Sequence, residues 1–146
     1  MLKGLDRALS AEMLGMLMAM GHGDDLLICD VNHPAASIAR HTVHGRVIDM
    51  AGCDLPRAAE AILSVMPLDT FVPAPVKRMK VVGDPDRLMP AHERMQEAAD
   101  RAEGRPVLVE ALERFDFYAA ARQAFAVVRT SDPGPYGCFI LRKGVV

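Results

Sequence analysis

A histidine between two glycines, in the segment Gly21-His22-Gly23-Asp24, is the first candidate for proton-transfer chemistry. A histidine side chain takes up and releases a proton near neutral pH, which suits it to general acid or base catalysis. The flanking glycines let the backbone turn and leave little local packing around the ring. Taken alone, the tetrapeptide is more typical of a turn with a solvated histidine, so a functional assignment needs further residues.

A second group of ionisable side chains begins at Asp30 and continues with His33, His41 and His44. Imidazole and carboxylate groups are ligands of zinc, so this group raises the question of a metal site. Its spacing matches no zinc pattern, however. We therefore interpret the histidines as part of a solvated polar loop or helix, and we expect no metal.

The two tyrosines of the chain, Tyr118 and Tyr136, lie in the segments 113–118 and 135–138, and Arg114 lies in the first of these. Arginine, phenol and carboxylate groups supply directional donors and acceptors for sugar hydroxyls, and aromatic rings supply apolar contact for the C–H faces of a sugar. An alternative for the first segment is that its aromatic residues anchor a helix to the core. We expect its two phenylalanines to do so.

The composition is that of a globular protein without a strongly charged surface. The chain has 146 residues, 51% hydrophobic and 25% charged, with a formal net charge of −2. This length fits one domain, 1–146. The charge balance gives no electrostatic reason to expect nucleic acid or an anionic membrane as a partner.

Several further sequence features bear on location and cofactors. The N-terminus lacks the pattern of a signal peptide, and no apolar run approaches the about 20 residues that cross a bilayer. Three widely spaced cysteines, Cys29, Cys53 and Cys138, predict reduced thiols in the cytoplasm. No segment resembles a phosphate-binding glycine loop, a nucleophile elbow or a dinucleotide fingerprint, so we expect no cofactor.

Helix and strand signals alternate along the chain. Ser10 and Asp54 are predicted helix N-caps, because their side chains can accept a hydrogen bond from a free amide at a helix start. Two later helices are predicted, a surface helix over Pro90–Glu103 and another over Phe115–Ala124. The predicted strands are Asp25–Asp30, Arg46–Met50, Val76–Val82, Val107–Val109, Phe125–Thr130 and Phe139–Leu141. Four methionines of the first helix are expected in the core or at a subunit contact: Met13, Met16, Met18 and Met20.

This alternation predicts a layered α/β domain with a largely parallel sheet. Ligands of such sheets bind beyond the carboxyl ends of the strands, where loops converge. Asp30 lies at the end of the first predicted strand and is therefore well placed to meet a ligand.

Several short motifs are spread along the chain. They are Met20-Gly21-His22-Gly23-Asp24, Asp30 followed by Pro34-Ala35, Leu68-Asp69, Arg114-Phe115 with Phe117-Tyr118, Ala124-Phe125-Ala126, and Tyr136-Gly137. In their order and spacing, the sequence resembles the family of fucose mutarotases and ribose pyranases over nearly the whole chain, from Met1 to Val145. The phenylalanine-rich motif before Tyr118 indicates the fucose branch.

The resemblance implies a three-layer α/β/α sandwich and an isomerase that interconverts the ring anomers of L-fucose or a related monosaccharide by acid–base ring opening and closure. It implies that His22 is the proton donor. The sugar contacts it implies are Asp30, Arg114, Tyr136, Gly137 and Cys138, with Asp69 and Tyr118 as further pocket residues. It also implies ring-shaped homo-oligomers, often decamers, with sites at or near subunit boundaries.

Cys138 departs from the fucose-type pattern, which usually carries asparagine after Tyr-Gly. A thiol is a weak donor and acceptor, so the amide contact to the sugar is missing. The loop after Asp30 departs as well, with Asn32-His33 where a histidine and an aromatic residue are common. These changes bear on the identity of the sugar. The absence of asparagine at position 138 also keeps open the alternative of a non-catalytic monosaccharide-binding protein.

Overall fold

Five helices and six strands alternate along residues 2–146, the part of the chain that this computed structural model describes. Met1, the first residue of the predicted domain, lies outside the described residues. The helices are α1 (Ala11–Ala19), α2 (Ala35–Ala39), α3 (Leu55–Leu63), α4 (Pro90–Glu103) and α5 (Arg114–Arg122). The strands are β1 (Asp25–Cys29), β2 (Val47–Met50), β3 (Val76–Met79), β4 (Val109–Leu112), β5 (Ala126–Thr130) and β6 (Cys138–Arg142).

The six strands form one sheet in the order β2-β5-β1-β6-β3-β4. The pairs β1–β5, β2–β5 and β3–β4 are parallel, whereas β6 runs antiparallel to both of its neighbours, β1 and β3. Five strands therefore point one way and β6 alone points the other way. The predicted largely parallel sheet is confirmed, and the start of β6 lies at the edge of the sheet where β1 and β3 end.

Helices cover both faces of this sheet. Along β1, Leu26 and Ile28 pack with α1, α3 and α4 in one apolar cluster, while Leu27 and Cys29 pack with α2 and α5 in a second. All four side chains are fully buried. Residues that alternate along a strand point to opposite faces, so a strand that is buried on both faces requires a layer on each side. The predicted α/β/α sandwich is confirmed.

The predicted helix starts are confirmed by their capping bonds. The Ser10 hydroxyl accepts a hydrogen bond from the amide of Met13 at 3.1 Å, and the Asp54 carboxylate accepts one from the amide of Arg57 at 3.0 Å. Each bond satisfies an amide that has no partner within its helix. The helix α4 covers Pro90–Glu103 as predicted. One face of this helix is buried, however, because Ala91, Met95, Ala98 and Ala99 pack against the core.

Four of the predicted strands differ from the observed strands by a single residue at one or both ends, and two differ by more. The strand predicted at Val107–Val109 begins only at Val109, because the amide of Val107 donates to the Asp100 carboxylate at 2.7 Å and so is not available for the sheet. The strand predicted over Val76–Val82 ends at Met79, and Gly83, at φ 82°, lies in the turn that follows.

The methionines in α1 and at its C-cap, Met20, are divided between core and surface. Met13, Met16 and Met20 are buried within their own chain, and Met18 is 83% exposed. Burial of the first three therefore needs no partner subunit. Within residues 2–146, no helix has the length and apolar character that a membrane crossing requires.

Candidate functional site

Asp30 joins the two loops that meet at the carboxyl end of β1. One carboxylate oxygen, Oδ1, accepts hydrogen bonds from the amides of Asn32 (2.7 Å) and His33 (3.1 Å). The other, Oδ2, accepts one from the amide of Gly137 (2.8 Å) in the loop before β6. The side chain is buried, and this burial raises the pKa of Asp30, although the three backbone bonds oppose the shift. Asp30 thus joins the loop after β1 to the loop before β6 at this edge of the sheet.

The loop before β6 holds Tyr136 in an unusual backbone conformation. Tyr136 has φ 60°, and among the described residues it is the one non-glycine residue with a positive φ. Bulky residues rarely adopt this conformation, and such positions are often functional sites. The phenol oxygen of Tyr136 accepts a hydrogen bond from the amide of Val82 at 3.1 Å. Its own O–H group can therefore donate to a ligand.

These loops, the end of β3 with the turn after it, and α5 line an open cavity of about 240 Å³. Five of the predicted sugar contacts line it: Asp30, Arg114, Tyr118, Tyr136 and Cys138. Gly137 adjoins it, and a Cβ added there would lie 3.2 Å from the Cβ of Asp30, so the close approach of the two loops leaves little room for a side chain. Cavities that bind drug-sized ligands measure roughly 300–1,000 Å³, so the smaller volume here suits a smaller ligand.

The charged and aromatic groups of the cavity differ in exposure. Arg114 is exposed at the start of α5, and its guanidinium lies 4.8 Å from the centre of the Phe115 ring. Phe115 is itself 72% exposed, so the expectation that it anchors the helix to the core is wrong. Its neighbour Phe117 is fully buried and provides that anchor. The first residue of α5 follows β4 after one residue, which brings Arg114 to the carboxyl edge of the sheet.

Cys138, where fucose-type members usually carry asparagine, is 2% exposed in the wall of the cavity. Burial is the largest cause that raises the pKa of this thiol, and the nearby Asp30 carboxylate adds to the shift. The side chain is therefore a neutral thiol at neutral pH, with little hydrogen-bonding capacity for a ligand.

His33 also lines this cavity, which sequence reasoning missed. The expectation of a solvated histidine is wrong here, because His33 is 8% exposed and its ring lies 5.5 Å from the ring of Tyr118. Burial lowers its pKa to about 4, and its Nε2 has no hydrogen-bond partner within the described residues. The signal that could have found it is Asp30, since a carboxylate after a strand commonly accepts from amides two or three residues later and so turns the loop inward.

His22 and Asp69 form a separate pair. The Nε2 of His22 lies 3.1 Å from Oδ1 of Asp69, which also accepts a hydrogen bond from the amide of Phe71 at 2.9 Å. The Phe71 amide is the main cause that lowers the pKa of Asp69, and the His22 bond adds to it. The Phe71 ring packs edge-on against the imidazole at a centroid distance of 5.2 Å. The carboxylate is buried, whereas 43% of the His22 side chain is exposed.

This pair lies at the opposite end of the sheet from the cavity. His22 lies before the first residue of β1, and Asp30 follows the last residue of this strand. The amide of Asp69 donates to the carbonyl of Arg142 at the end of the antiparallel β6, which is the same end of the sheet as His22. A strand rises by about 3.3 Å per residue, so β1 alone separates the two groups by roughly 16 Å. One monosaccharide does not span this distance, so within one chain it cannot touch both groups.

The three histidines considered as metal ligands do not converge. His33 lines the cavity, His41 is exposed, and the Nε2 of His44 lies 3.5 Å from the Glu12 carboxylate at α1. Over residues 2–146, no three histidine, cysteine, aspartate or glutamate side chains are grouped as ligands of one ion.

Comparisons with known proteins agree with this architecture. The L-fucose mutarotase of Haemophilus influenzae is 41% identical over 146 residues, which cover 99% of this chain and 97% of that protein. A solved structure described as a putative sugar binding protein is 47% identical, with a TM-score of 0.97 over 100% of this chain and 97% of that one. The fucose mutarotase of Streptococcus pneumoniae, solved in complex with L-fucose, is 32% identical, with a TM-score of 0.88 over 99% of both chains.

The family model described as the RbsD / FucU transport protein family matches residues 3–146. This match covers nearly the whole chain, and the relatives named above are similar over nearly their whole length. The chain belongs to the RbsD / FucU family, and within it to the fucose mutarotase branch that the sequence motifs predict.

Proposed function

We propose that this protein accelerates the exchange between the ring anomers of L-fucose or a closely related aldose. The chain is a sugar mutarotase, an isomerase, and its substrate is a monosaccharide. The observation that carries the assignment of the sugar-binding site is the convergence of Arg114, both tyrosines and Asp30 on one small cavity. Directional donors and acceptors beside aromatic rings are what a monosaccharide needs for recognition.

The reaction requires proton transfer and no cofactor. Opening of the ring delivers a proton to the ring oxygen and removes one from the anomeric hydroxyl, and closure on the other face of the aldehyde reverses both steps. No electrons are transferred. A positioned acid or base typically contributes about 10²–10⁴-fold to such a step.

We propose His22 as the group that transfers the proton, with Asp69 as the residue that orients it. The pKa of Asp69 is lowered, so this carboxylate is ionised at neutral pH and can only accept hydrogen bonds. Nε2 of His22 must therefore be the protonated nitrogen in their 3.1 Å contact. That leaves Nδ1 free to exchange a proton with the sugar, while Asp69 also stabilises the imidazolium that forms.

In the cavity, we propose that Asp30 accepts from a sugar hydroxyl through a lone pair that its three backbone bonds leave free. Arg114 and the O–H group of Tyr136 donate to other hydroxyls. Tyr118 provides an aromatic face beside them. Gly137 contributes backbone groups, and the thiol of Cys138 forms part of the cavity wall.

Because His22 and the cavity lie at opposite ends of the sheet within one subunit, we propose that two subunits complete each site. In such a homo-oligomer, which we take to be a ring-shaped decamer, the His22 end of one subunit closes the cavity of its neighbour. Large apolar side chains lie exposed at both ends: Phe71 is 71% exposed beside His22, and Val82 and Phe115 are 60% and 72% exposed beside the cavity. Contact between these ends would cover them.

Mixed oligomers test this arrangement. His22→Asn and Arg114→Ala subunits should each be inactive alone, since each lacks one half of every site. Random mixing should restore about a quarter of the sites, because one intact His22 then meets one intact Arg114 at such boundaries. Mixtures that stay inactive, or a monomer in sedimentation at micromolar concentration, would contradict the shared site.

Two further proposals follow from the sequence. We propose that residues 1–146 act as one mutarotase-like domain, and that the protein works in the cytoplasm, where its three cysteines stay reduced.

Exchange NMR on L-fucose tests the activity itself. Saturation of one anomeric proton should transfer to the other anomer faster in the presence of the protein, and D-galactose and D-ribose serve as comparison sugars. Line broadening without faster exchange would instead support a non-catalytic monosaccharide-binding protein.

A further inference from the structure

The residues at the end of β6, 142–144, hold the turn that carries His22. The carbonyl of Lys143 accepts a hydrogen bond from the amide of Gly23 at 2.9 Å. The amide of Lys143 donates in return to the carbonyl of Asp24, also at 2.9 Å. The backbone on the C-terminal side of His22 is thus fixed to the sheet by two bonds to one residue.

The same three residues hold the segment that carries Asp69. The amide of Asp69 donates to the carbonyl of Arg142 at 3.0 Å, and the amide of Gly144 donates to the carbonyl of Pro67 at 2.8 Å. A Cβ added to Gly144 would lie 2.4 Å from the carbonyl oxygen of Leu68, so this approach requires glycine. Residues 142–144 therefore set both halves of the His22–Asp69 pair in one frame.

The side chain of Lys143 adds a contact on the other side of the His22 turn. Its Nζ donates to the carbonyls of Leu17 (2.8 Å) and Met20 (2.5 Å) at the end of α1. These carbonyls lie where the helix lacks its own donors and carries partial negative charge, which favours an ammonium group. Gly21 and His22 follow directly. Lys143 therefore fixes the chain both before and after His22.

We propose that Lys143 is a positioning residue for proton transfer: by joining the end of α1 to the end of β6, it sets the position of the His22 imidazole. The inference rests on the proposed role of His22. Lys143 acts through His22 and does not itself touch the sugar. Its loss should therefore affect turnover more than sugar binding, because a displaced catalytic group can cost as much as about a hundredfold in rate.

The test compares Lys143→Met, Lys143→Arg and the control Lys77→Met. Lys77 is a half-buried lysine of β3 outside the cavity. By exchange NMR on L-fucose, Lys143→Met should lower kcat by about tenfold or more and leave KM within about twofold. Lys143→Arg should recover most of the loss, since it keeps donors for the two carbonyls. A kcat for Lys143→Met equal to that of Lys77→Met would overturn the inference.

A double variant separates positioning from general damage. In the His22→Asn background, whose rate is already close to that of buffer, the readout is L-fucose binding in calorimetry, and Lys143→Met should leave it unchanged because its effect passes through His22 and not through the sugar contacts. Binding that weakens in this background by as much as kcat falls in the single variant would overturn the inference. Should Lys143→Met fail to fold, Lys143→Gln, which keeps one donor group, takes its place in both comparisons.

A structural measurement distinguishes this inference from the proposed function. If the wild type accelerates exchange of no monosaccharide, the proposed function fails, but the position of His22 can still be measured. The crystal structure of Lys143→Met should then have lost the 3.1 Å contact between His22 and Asp69 and the edge-on contact with Phe71. Retention of both contacts would overturn the inference.

Discussion

His33 and His92 should make the protein less stable at pH 5 than at pH 7.5. Burial lowers the pKa of each histidine from 6.5 to about 4. Below pH 6.5 the unfolded chain therefore binds protons that the folded protein does not bind until about pH 4. The stability due to the two neutral rings is complete above pH 6.5 and is lost as the pH falls towards 4.

The expected magnitude follows from these pKa values. Consider a histidine whose pKa is 6.5 in the unfolded chain and about 4 in the folded protein. Between pH 7.5 and pH 5 it lowers the free energy of unfolding by about 2 kcal/mol. Two such residues give about 4 kcal/mol. The raised pKa of Asp30 acts in the opposite direction, because protonation relieves its buried charge as the pH falls. The pKa of Asp69 is lowered in the folded protein, so protonation of this carboxylate reduces the stability of the protein only below about pH 3.8, outside this pH range.

Urea unfolding at pH 7.5 and pH 5, at one protomer concentration, measures this effect. In His33→Phe the change between the two pH values should shrink by about half, since phenylalanine keeps an aromatic ring beside Phe117 and Tyr118 and cannot titrate. The exposed His41→Ala should leave the change as it is in the wild type. A pH dependence that is the same in His33→Phe as in the wild type would refute the burial argument.

Three further predictions concern the cavity and its chemistry. Asp30→Asn should cost about 1–3 kcal/mol in urea unfolding and weaken sugar binding in calorimetry, because a carboxamide has one oxygen for the three amides that the carboxylate binds; unchanged stability would contradict this. Cys138→Asn should change the preference among L-fucose, D-galactose and D-ribose in exchange NMR, and an unchanged preference in a folded variant would mean that only the backbone of this residue touches the sugar. Prolonged treatment with EDTA should leave the exchange rate unchanged, and a loss that zinc restores would overturn the expectation of no metal.

Much of the fold was predictable because its signals are local. The caps at Ser10 and Asp54 depend on side-chain oxygens a few residues from the amides they accept from, and the apolar run of β1 marks a strand that is buried on both faces. The start of β4 was predicted two residues too early, because the carboxylate of Asp100, seven residues before Val107, binds the amide of Val107. The sequence at Val107 carries no sign of this bond.

The cavity was predictable in part. Tyr118, Tyr136 and Arg114 have the residue types that sugars require, and Asp30 follows a strand end. The predicted strand Asp25–Asp30 already places His22 and Asp30 at opposite ends of β1. The pairing of His22 with Asp69 was not predictable, because it depends on the antiparallel direction of β6, whose end holds Asp69. The burial of His33 likewise follows from the long-range contacts of its loop and not from its neighbours in the sequence.

The direct test of the account is the exchange rate of L-fucose anomers with His22→Asn, measured by saturation transfer beside the wild type and the control His41→Asn. His41 is exposed, so its variant should match the wild type. His22→Asn should fall close to the rate of buffer alone while its fold and assembly stay intact, because its side chain is half-exposed and its loss leaves the core unchanged. Near-normal turnover by a folded His22→Asn would contradict the account, and the proton donor would then have to be sought at Tyr136 or Tyr118.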